Sequence, residues 1–158
     1  MKKLIIVRHA HAVHDGTADF KRSLTEEGLE EAVQAGKILK KNDLIPDVII
    51  SSPAARAMQT TKKIAHKLDF PGDSIVYDRE FYTADEDDML RSIQHTDDSC
   101  KVLMVVGHNP TLLHLANNIT GAVESLPPGG IIVIEFPKGF SWSDVKPGSG
   151  ASAFALNF

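Results

Sequence analysis

Short apolar runs rich in β-branched residues alternate along the chain with longer segments whose apolar positions recur at helical spacing. Residues 4–7, 48–51, 102–106 and 131–135 are predicted as buried strands, and residues 74–77 and 153–157 as weaker ones. Alternation of strands with helices is typical of an α/β domain. We therefore predict an α/β fold, a three-layer sandwich with a mainly parallel central sheet and helices on both faces.

Four helices are predicted between these strands. Residues 25–41 form an amphipathic helix that begins after Ser23 or Thr25 as the cap. Its apolar positions are Leu29, Ala32, Val33, Gly36 and Leu39. A second helix follows Ser52-Pro53, where a capping hydroxyl stands beside a proline at the first helical position, and Asn109-Pro110 predicts the same start for a third. Residues 85–94 are a weaker fourth candidate.

The length and composition predict a single domain over residues 1–158, because 158 residues with 42% hydrophobic content suffice for one core and not for two. A net charge of −4 and an isoelectric point near 5.9 disfavour a nucleic-acid binder. No apolar run reaches the length of a signal peptide or a membrane span. One cysteine, Cys100, fits a reducing compartment, so we expect a cytoplasmic protein and, by default, a monomer.

Polar clusters directly follow three of the predicted strands: Arg8-His9, residues 51–56 with Arg56, and Gly107-His108-Asn109. In open α/β sheets ligands bind beyond the carboxyl ends of the strands, so these clusters should converge on one crevice. Arginine offers a fork of donors that matches phosphate oxygens, and helix N-termini favour anions. The sequence therefore predicts a phosphate site with a histidine beside it that can act as a nucleophile.

The same residues resemble the motifs of a known family. Arg8-His9-Ala10 resembles the Arg-His-Gly signature of the histidine phosphatase superfamily, which includes the cofactor-dependent phosphoglycerate mutases. Residues 51–60 (Ser-Ser-Pro-Ala-Ala-Arg-Ala-Met-Gln-Thr) are similar to its second motif, and residues 107–110 (Gly-His-Asn-Pro) to its third. The chain is most similar to SixA-type phosphohistidine phosphatases of bacterial phosphorelays, because of its small size and because of residues 22–25 and 128–131.

This resemblance covers nearly the whole chain and implies a phosphoglycerate-mutase-like fold. It implies that His9 accepts the phosphoryl group, that Arg8, Arg22 and Arg56 bind its oxygens, and that His108 donates to it. The implied catalytic set is Arg8, His9, Arg56 and His108, with no metal and no organic cofactor. The expected substrate is a phosphorylated histidine on a partner protein, and a small phosphate compound is the alternative.

Two positions depart from the family pattern. Ala10 stands where the first motif commonly has glycine. The mutase-like branch also provides a carboxylic acid for the leaving group, and no one residue among Asp78, Glu80, Asp85 and Glu86 can be assigned to this role. An ester needs such an acid more than phosphohistidine does, so the departure favours phosphohistidine over a small-molecule phosphomonoester.

Two other functions remain open from the residues. His9, His11 and His14 with Asp15 could ligate a metal ion, although Arg8 and the other predicted cations disfavour a dication there. Otherwise His11 and His14 should lie at the pocket rim or in loops. The pocket could also bind phosphate without turnover, as a non-catalytic binding module.

Overall fold

A computed structural model describes residues 1–83, 85–123 and 125–156 of the chain. Its strands are β1 (Lys3–Arg8), β2 (Val48–Ser51), β3 (Val76–Tyr77), β4 (Val102–Gly107), β5 (Ile131–Glu135) and β6 (Ser152–Leu156). Its α-helices are α1 (Glu26–Lys41), α2 (Ala55–Lys67), α3 (Glu80–Thr83), α4 (Glu86–Gln94) and α5 (Thr111–Thr120). Short 3-10 helices lie at Asp19–Lys21, Gly72–Ser74 and Trp142–Asp144. Within these segments no helix combines the length and the apolar character needed to cross a membrane.

The strands form one six-stranded sheet in the order β3-β2-β4-β1-β5-β6. The first four are parallel to one another, whereas β5 and β6 pair in antiparallel fashion. Arg8 at the end of β1 pairs with Gly107 at the end of β4, and Ser51 at the end of β2 pairs with Val106. The register therefore places the three polar clusters at one edge of the sheet.

Helices cover both faces of this sheet, which confirms the predicted three-layer α/β fold. Leu4 and Ile6 of β1 belong to the core shared with α4 and α5, and Ile5 and Val7 belong to the core shared with α1 and α2. All four side chains are fully buried, and each such burial contributes about 1.5–3 kcal/mol. Burial on both faces explains why the strand has no polar alternation in its sequence.

The buried face of helix α1 consists mostly of small residues. Its buried positions are Gly28, Ala32, Ala35, Gly36 and Leu39. A Cβ atom at Gly36 would come within 2.7 Å of the Cβ atom of Lys67 on α2, so glycine permits the close approach. Of the predicted apolar positions, Ala32, Gly36 and Leu39 are buried as expected, whereas Leu29 is exposed and Val33 only partly buried.

The predicted start of α2 was wrong by two residues and that of α5 by one. Helix α2 begins at Ala55, because Ser52 continues the sheet by donating its N–H to the Val106 carbonyl at 2.9 Å. Ser52 precedes a proline, which disfavours helical backbone at that residue, and α5 begins at Thr111 after Asn109-Pro110 for a similar reason.

The two weaker strands also differ in their bounds. Strand β3 is limited to Val76–Tyr77, because Gly72–Ser74 forms a 3-10 turn that occupies the predicted first residue. The last strand, β6, runs over Ser152–Leu156, and Asn157 of the prediction lies outside the described residues. Neither change affects the edge of the sheet where the clusters meet.

Candidate active site

The three clusters meet in a pocket of about 540 Å³ at the carboxyl ends of β1, β2 and β4. Its lining residues are Arg8, His9, His11, Ala12, His14, Arg22, Thr25, Glu26, Glu27, Arg56, His108, Asn109 and Pro128. All five residues expected to bind or transfer the phosphoryl group are therefore brought together. His11 and His14 lie at the same pocket as exposed residues, as predicted for its rim.

The backbone around His9 is fixed from three sides. The N–H of His9 donates to the carbonyl of Gly107 at 3.1 Å, and the N–H of Gly129 donates to the carbonyl of His9 at 3.1 Å. The next residue, Ala10, donates its N–H to the hydroxyl of Thr60 on α2 at 3.1 Å. The end of β4, the loop before β5 and helix α2 thus hold the loop in one position.

The loop after His9 is also closely packed against α1. Ala10 is fully buried in a small cluster with Leu24 and Ala32, so the structure accommodates the methyl group that replaces the usual glycine. A Cβ atom at Gly28 would lie only 2.1 Å from the carbonyl oxygen of His11. Glycine at position 28 is therefore required for α1 to begin this close to the loop.

The side chain of His9 is set up as a neutral nucleophile. Its Nδ1 lies 2.7 Å from the carbonyl oxygen of Ala10. Because a carbonyl oxygen can only accept, Nδ1 carries the proton and Nε2 keeps a free lone pair. Desolvation by burial lowers the pKa of His9 to about 4, with help from the charges of Arg56, Arg8 and Arg22, although the bond to Ala10 opposes the shift.

The lowered pKa predicts a pH profile that differs from that of an ordinary histidine. We expect kcat/KM, corrected for substrate ionisation, to stay flat as the pH falls from 8 to about 5, and to drop as His9 becomes protonated near its pKa of about 4. An unperturbed imidazole would lose half of its activity near pH 6.5. A steady-state pH series measures this, and a midpoint near 6.5 assigned to His9 would contradict the proposed burial effect.

Three buried nitrogen atoms of residues that line the pocket with His9 lack hydrogen-bond partners among the described residues. These are the Nε atoms of Arg8 and Arg56 and the Nδ1 atom of His108. Leaving a buried polar group unsatisfied costs about 1–3 kcal/mol. Three such groups in one pocket indicate a ligand with several acceptor oxygens, such as a phosphoryl group.

Asp19 holds Arg56 and Arg22 together. Arg56, whose side chain is only 8% exposed, donates to the Asp19 backbone carbonyl at 2.8 Å and to its carboxylate at 3.2 Å. The same carboxylate accepts from Arg22 at 3.0 Å and from the hydroxyl of Tyr82 at 2.8 Å. The bond from Tyr82, followed by those from the two arginines, lowers the pKa of Asp19 to about 2. No pattern in the sequence marks Asp19 or Tyr82 as part of the site.

Arg22 lies at the pocket but is already bound on several sides. Its Nε donates to the carbonyl of Val13 at 2.7 Å, and its Nη1 donates to Asp19. Its Nη2 lies 3.5 Å from Nε2 of His14. Arg22 therefore has fewer free donors for a ligand than Arg56 has.

The ring of His108 faces that of His9. The ring centroids are 5.1 Å apart, and the ring of Tyr82 lies edge-on to His108 at 5.7 Å. Burial first, and then the nearby charges, lower the pKa of His108 to about 3. His108 is thus a neutral imidazole that can donate from one nitrogen only.

The metal alternative finds little support in the geometry. One ligand atom each of His11, Glu27 and Glu31 lies within 4.8 Å of the others, and this is the one group of its kind in the described segments. His9, His14 and Asp15, which the alternative metal site of the sequence analysis combined with His11, are not in this group. The Nδ1 of His11 also lies 2.7 Å from the Glu31 carboxylate, so their hydrogen bond accounts for their closeness.

The four carboxylates weighed as general acids do not line the pocket. Asp78 accepts from the backbone of Glu80 and from Ser92, Asp85 caps α4, and Glu86 accepts from Asn118. The carboxylates that do line the pocket are Glu26 and Glu27 in the first turn of α1, and sequence reasoning did not consider them. Their position directly after the Arg22–Thr25 segment was the available signal.

A neutral histidine among arginines at the carboxyl edge of a parallel sheet defines an α/β phosphoryl-transfer site. The sequence model of the histidine phosphatase superfamily (branch 1) matches residues 4–82, the half of the chain that holds His9, Arg22 and Arg56. The chain belongs to this superfamily of phosphatases.

The chain is also similar to individual proteins and solved structures. An uncharacterised protein of Mycobacterium tuberculosis is 34% identical over 92% of this chain and 95% of its own length. The structure of a candidate phosphohistidine phosphatase, SixA, from Agrobacterium tumefaciens is 30% identical, covers 85% of this chain and 92% of that one, and has a TM-score of 0.77. A protein histidine phosphatase SixA in complex with tungstate has a TM-score of 0.84 at 22% identity, over 98% of this chain and 96% of that one. The fold is therefore SixA-like.

Proposed function

We propose that the protein is a phosphatase that removes the phosphoryl group from a phosphohistidine on a partner protein, through a phosphorylated His9. One observation carries the proposal: the neutral His9 lies beside buried donors of Arg8, Arg56 and His108 that lack partners. A nucleophile beside two arginine cations and a further hydrogen-bonding group, all with unsatisfied atoms, meets the requirements of phosphoryl transfer.

In the first step the lone pair on Nε2 of His9 attacks phosphorus. The P–N bond to the substrate imidazole breaks as the bond to His9 forms, and the imidazole leaves with its proton. Arg8, Arg22 and Arg56 stabilise the charge on the three equatorial oxygens, and His108 donates a further hydrogen bond. The Nδ1–H bond to Ala10 keeps the His9 ring oriented during the attack.

In the second step a water molecule attacks the phosphorus of phospho-His9. The P–N bond breaks, inorganic phosphate forms, and His9 returns to its starting state. Both steps use the same donors, since the oxygens occupy the same positions in each. The protein's own arginines supply the positive charge that a dication provides in other phosphatases.

The leaving group decides between the two substrate classes. An alkoxide is a poor leaving group without a positioned acid, because its conjugate acid is about as weak an acid as water. An imidazole has a pKa near 6.5, so solvent can protonate it and it leaves neutral. The four carboxylates that the sequence offered as candidate general acids lie outside the pocket, and this supports phosphohistidine as the substrate.

Glu26 and Glu27 favour a second candidate, a small-molecule phosphomonoesterase of the same superfamily. Both are exposed carboxylates at the pocket, and neither forms an ion pair within the described part of the chain. A carboxylic acid at this position could protonate an alkoxide. This candidate has the same first step but needs the acid that the phosphohistidine reaction does not.

A substrate panel with glutamate variants separates the two candidates. We expect kcat/KM for a phosphohistidine protein and for phosphoramidate to exceed that for phosphoglycerate or a sugar phosphate by at least about 100-fold, the usual effect of a missing general acid. Glu26→Gln and Glu27→Gln should leave phosphoramidate turnover within about twofold of wild type for the same reason. Glu30→Gln is the matched control, because Glu30 lies on the next turn of the same helix, accepts a hydrogen bond from Gln34 and is outside the pocket. Efficient ester hydrolysis that collapses in Glu26→Gln or Glu27→Gln but not in Glu30→Gln would favour the phosphomonoesterase.

The arginine pocket also predicts metal independence and oxyanion inhibition. We expect a chelator to leave turnover unchanged, because arginine charges replace the dication. Tungstate, vanadate and phosphate should inhibit competitively by occupying the donors around His9. Turnover with phosphoramidate with and without a chelator measures the first effect, and turnover at increasing tungstate concentrations measures the second. Activity lost to the chelator and restored by zinc or manganese would contradict the proposal, and binding of oxyanions without any turnover would indicate a non-catalytic module.

A further inference from the structure

Ser52 is a fully buried residue in the connection between β2 and α2. Its hydroxyl oxygen accepts from the N–H of Ala54 at 3.2 Å. The same oxygen lies 2.8 Å from Nε2 of His108. The structure gives this hydroxyl no other hydrogen-bond partner among residues 1–83, 85–123 and 125–156.

The hydroxyl of Ser52 has one proton and therefore needs one acceptor. The backbone N–H of Ala54 can only donate, so it cannot take that proton. The remaining neighbour, Nε2 of His108, can accept it if the ring proton is on Nδ1. In the opposite tautomer both neighbours would donate to Ser52, and its own proton would be buried without a partner, at a cost of about 1–3 kcal/mol.

The tautomer of His108 matters because it decides whether the unpartnered Nδ1 atom can donate a hydrogen bond. This atom is buried, lacks a partner and belongs to a ring 5.1 Å from that of His9. With a proton, Nδ1 donates to an oxygen of the transferring phosphoryl group. Without one, it would present a lone pair to the same anionic oxygen and repel it.

We propose that Ser52 is a positioning residue that fixes His108 in the Nδ1–H tautomer and so makes it a hydrogen-bond donor to the phosphoryl group. The inference rests on phosphoryl transfer in this pocket and is independent of which phosphate compound is the substrate. Ser52 contributes no atom to the reaction and acts through His108. The chain also provides a close control, because Ser51 is equally buried but bonds to Thr61 and to the carbonyl of Ser52.

The first test compares Ser52→Ala with Ser51→Ala. Both should lower the melting temperature, since each loses a buried hydrogen bond. Only Ser52→Ala should lower kcat for phosphoramidate, by roughly 10-fold, which is less than the roughly 100-fold to 1,000-fold loss of a whole oxyanion donor. Tungstate affinity should fall by a similar factor in Ser52→Ala alone. Equal losses of kcat in the two variants would show that Ser52 has only a structural role and would overturn the proposal.

The second test observes the tautomer directly. Imidazole nitrogen shifts of the ligand-free, ¹⁵N-labelled protein should show His108 with its proton on Nδ1, and Ser52→Ala should show a mixture, with His108→Ala providing the assignment. The double variant Ser52→Ala/His108→Ala should be no slower than His108→Ala, because Ser52 acts through that ring. Protonated Nε2 in the wild-type protein, or additive losses in the double variant, would overturn the proposal. The spectra and tungstate binding need no turnover, so a protein that binds tungstate in the expected tautomer but hydrolyses nothing would refute the proposed phosphatase and retain the role of Ser52.

Discussion

Replacement of His9 by alanine should abolish turnover, by on the order of 10⁴-fold or more, and leave the fold intact. The backbone hydrogen bonds of residue 9, to the carbonyl of Gly107 and from the N–H of Gly129, do not involve its side chain. The alanine variant should therefore keep them. Among the described residues, the side chain makes one hydrogen bond, to the carbonyl of the next residue. Its loss therefore removes the nucleophile without opening the core, and steady-state turnover with a thermal melt measures both parts.

A covalent intermediate provides the second part of this test. Labelled phosphoramidate quenched without acid should leave an acid-labile, base-stable phosphoenzyme on the wild-type protein and none on His9→Ala. His66→Ala is the matched control, because His66 is an exposed histidine on α2, remote from the pocket lining. Turnover near the wild-type rate in His9→Ala would refute His9 as the phosphoacceptor.

Replacement of Arg56 by alanine should lower kcat by roughly 30-fold to 1,000-fold, the equivalent of about 2–4 kcal/mol of lost charge stabilisation. The Arg56 side chain is almost fully buried, and two of its nitrogens are held by Asp19 while Nε is unpartnered. Arg56→Lys should lose less, because lysine keeps the charge but lacks the planar fork that contacts Asp19 and a phosphoryl oxygen together. Competitive inhibition by tungstate should weaken in the same order.

Arg91, which lies outside the pocket, is the matched control for Arg56, and Arg22 is a comparison within the site. Arg91→Ala should have no effect on kcat, because Arg91 is an exposed residue of α4 that pairs with Asp88. Arg22→Ala should lower kcat toward the mild end of the range, since its guanidinium is already bound to Val13 and Asp19. An unchanged rate in Arg56→Ala would remove that residue from the site, and an unchanged rate in Arg22→Ala would restrict Arg22 to the loop.

The residues that meet at the pocket could be predicted because each follows a recognisable strand. The runs before Arg8, Ser51 and Gly107 are short, apolar and β-branched, and such runs are stable only when both faces are buried. Parallel pairing then brings their carboxyl ends to one edge. His9, Arg8, Arg56 and His108 could be placed together on this basis, and the family motifs agreed.

The local starts of the helices were harder to predict from the sequence. Ser52 and Asn109 are residue types that favour helix N-caps, yet each precedes a proline. Ser52 also extends the sheet before the helix begins. In α1 the pattern favoured Leu29 as a buried position, but close packing against α2 selects glycine and alanine instead. The competing influence in both cases is a contact with a distant segment.

The amino-acid sequence by itself determined the α/β class, the edge of the sheet that carries the chemistry and the residue types that meet there, because burial and strand pairing follow from apolar periodicity. The tertiary structure alone decided which atoms of those residues are free. The Asp19–Arg56–Tyr82 contacts span 63 residues, and the Ser52–His108 bond spans 56. Such contacts depend on side-chain positions across the packed fold, which no local pattern encodes. They determine which nitrogen of His108 and which edge of Arg56 face the pocket.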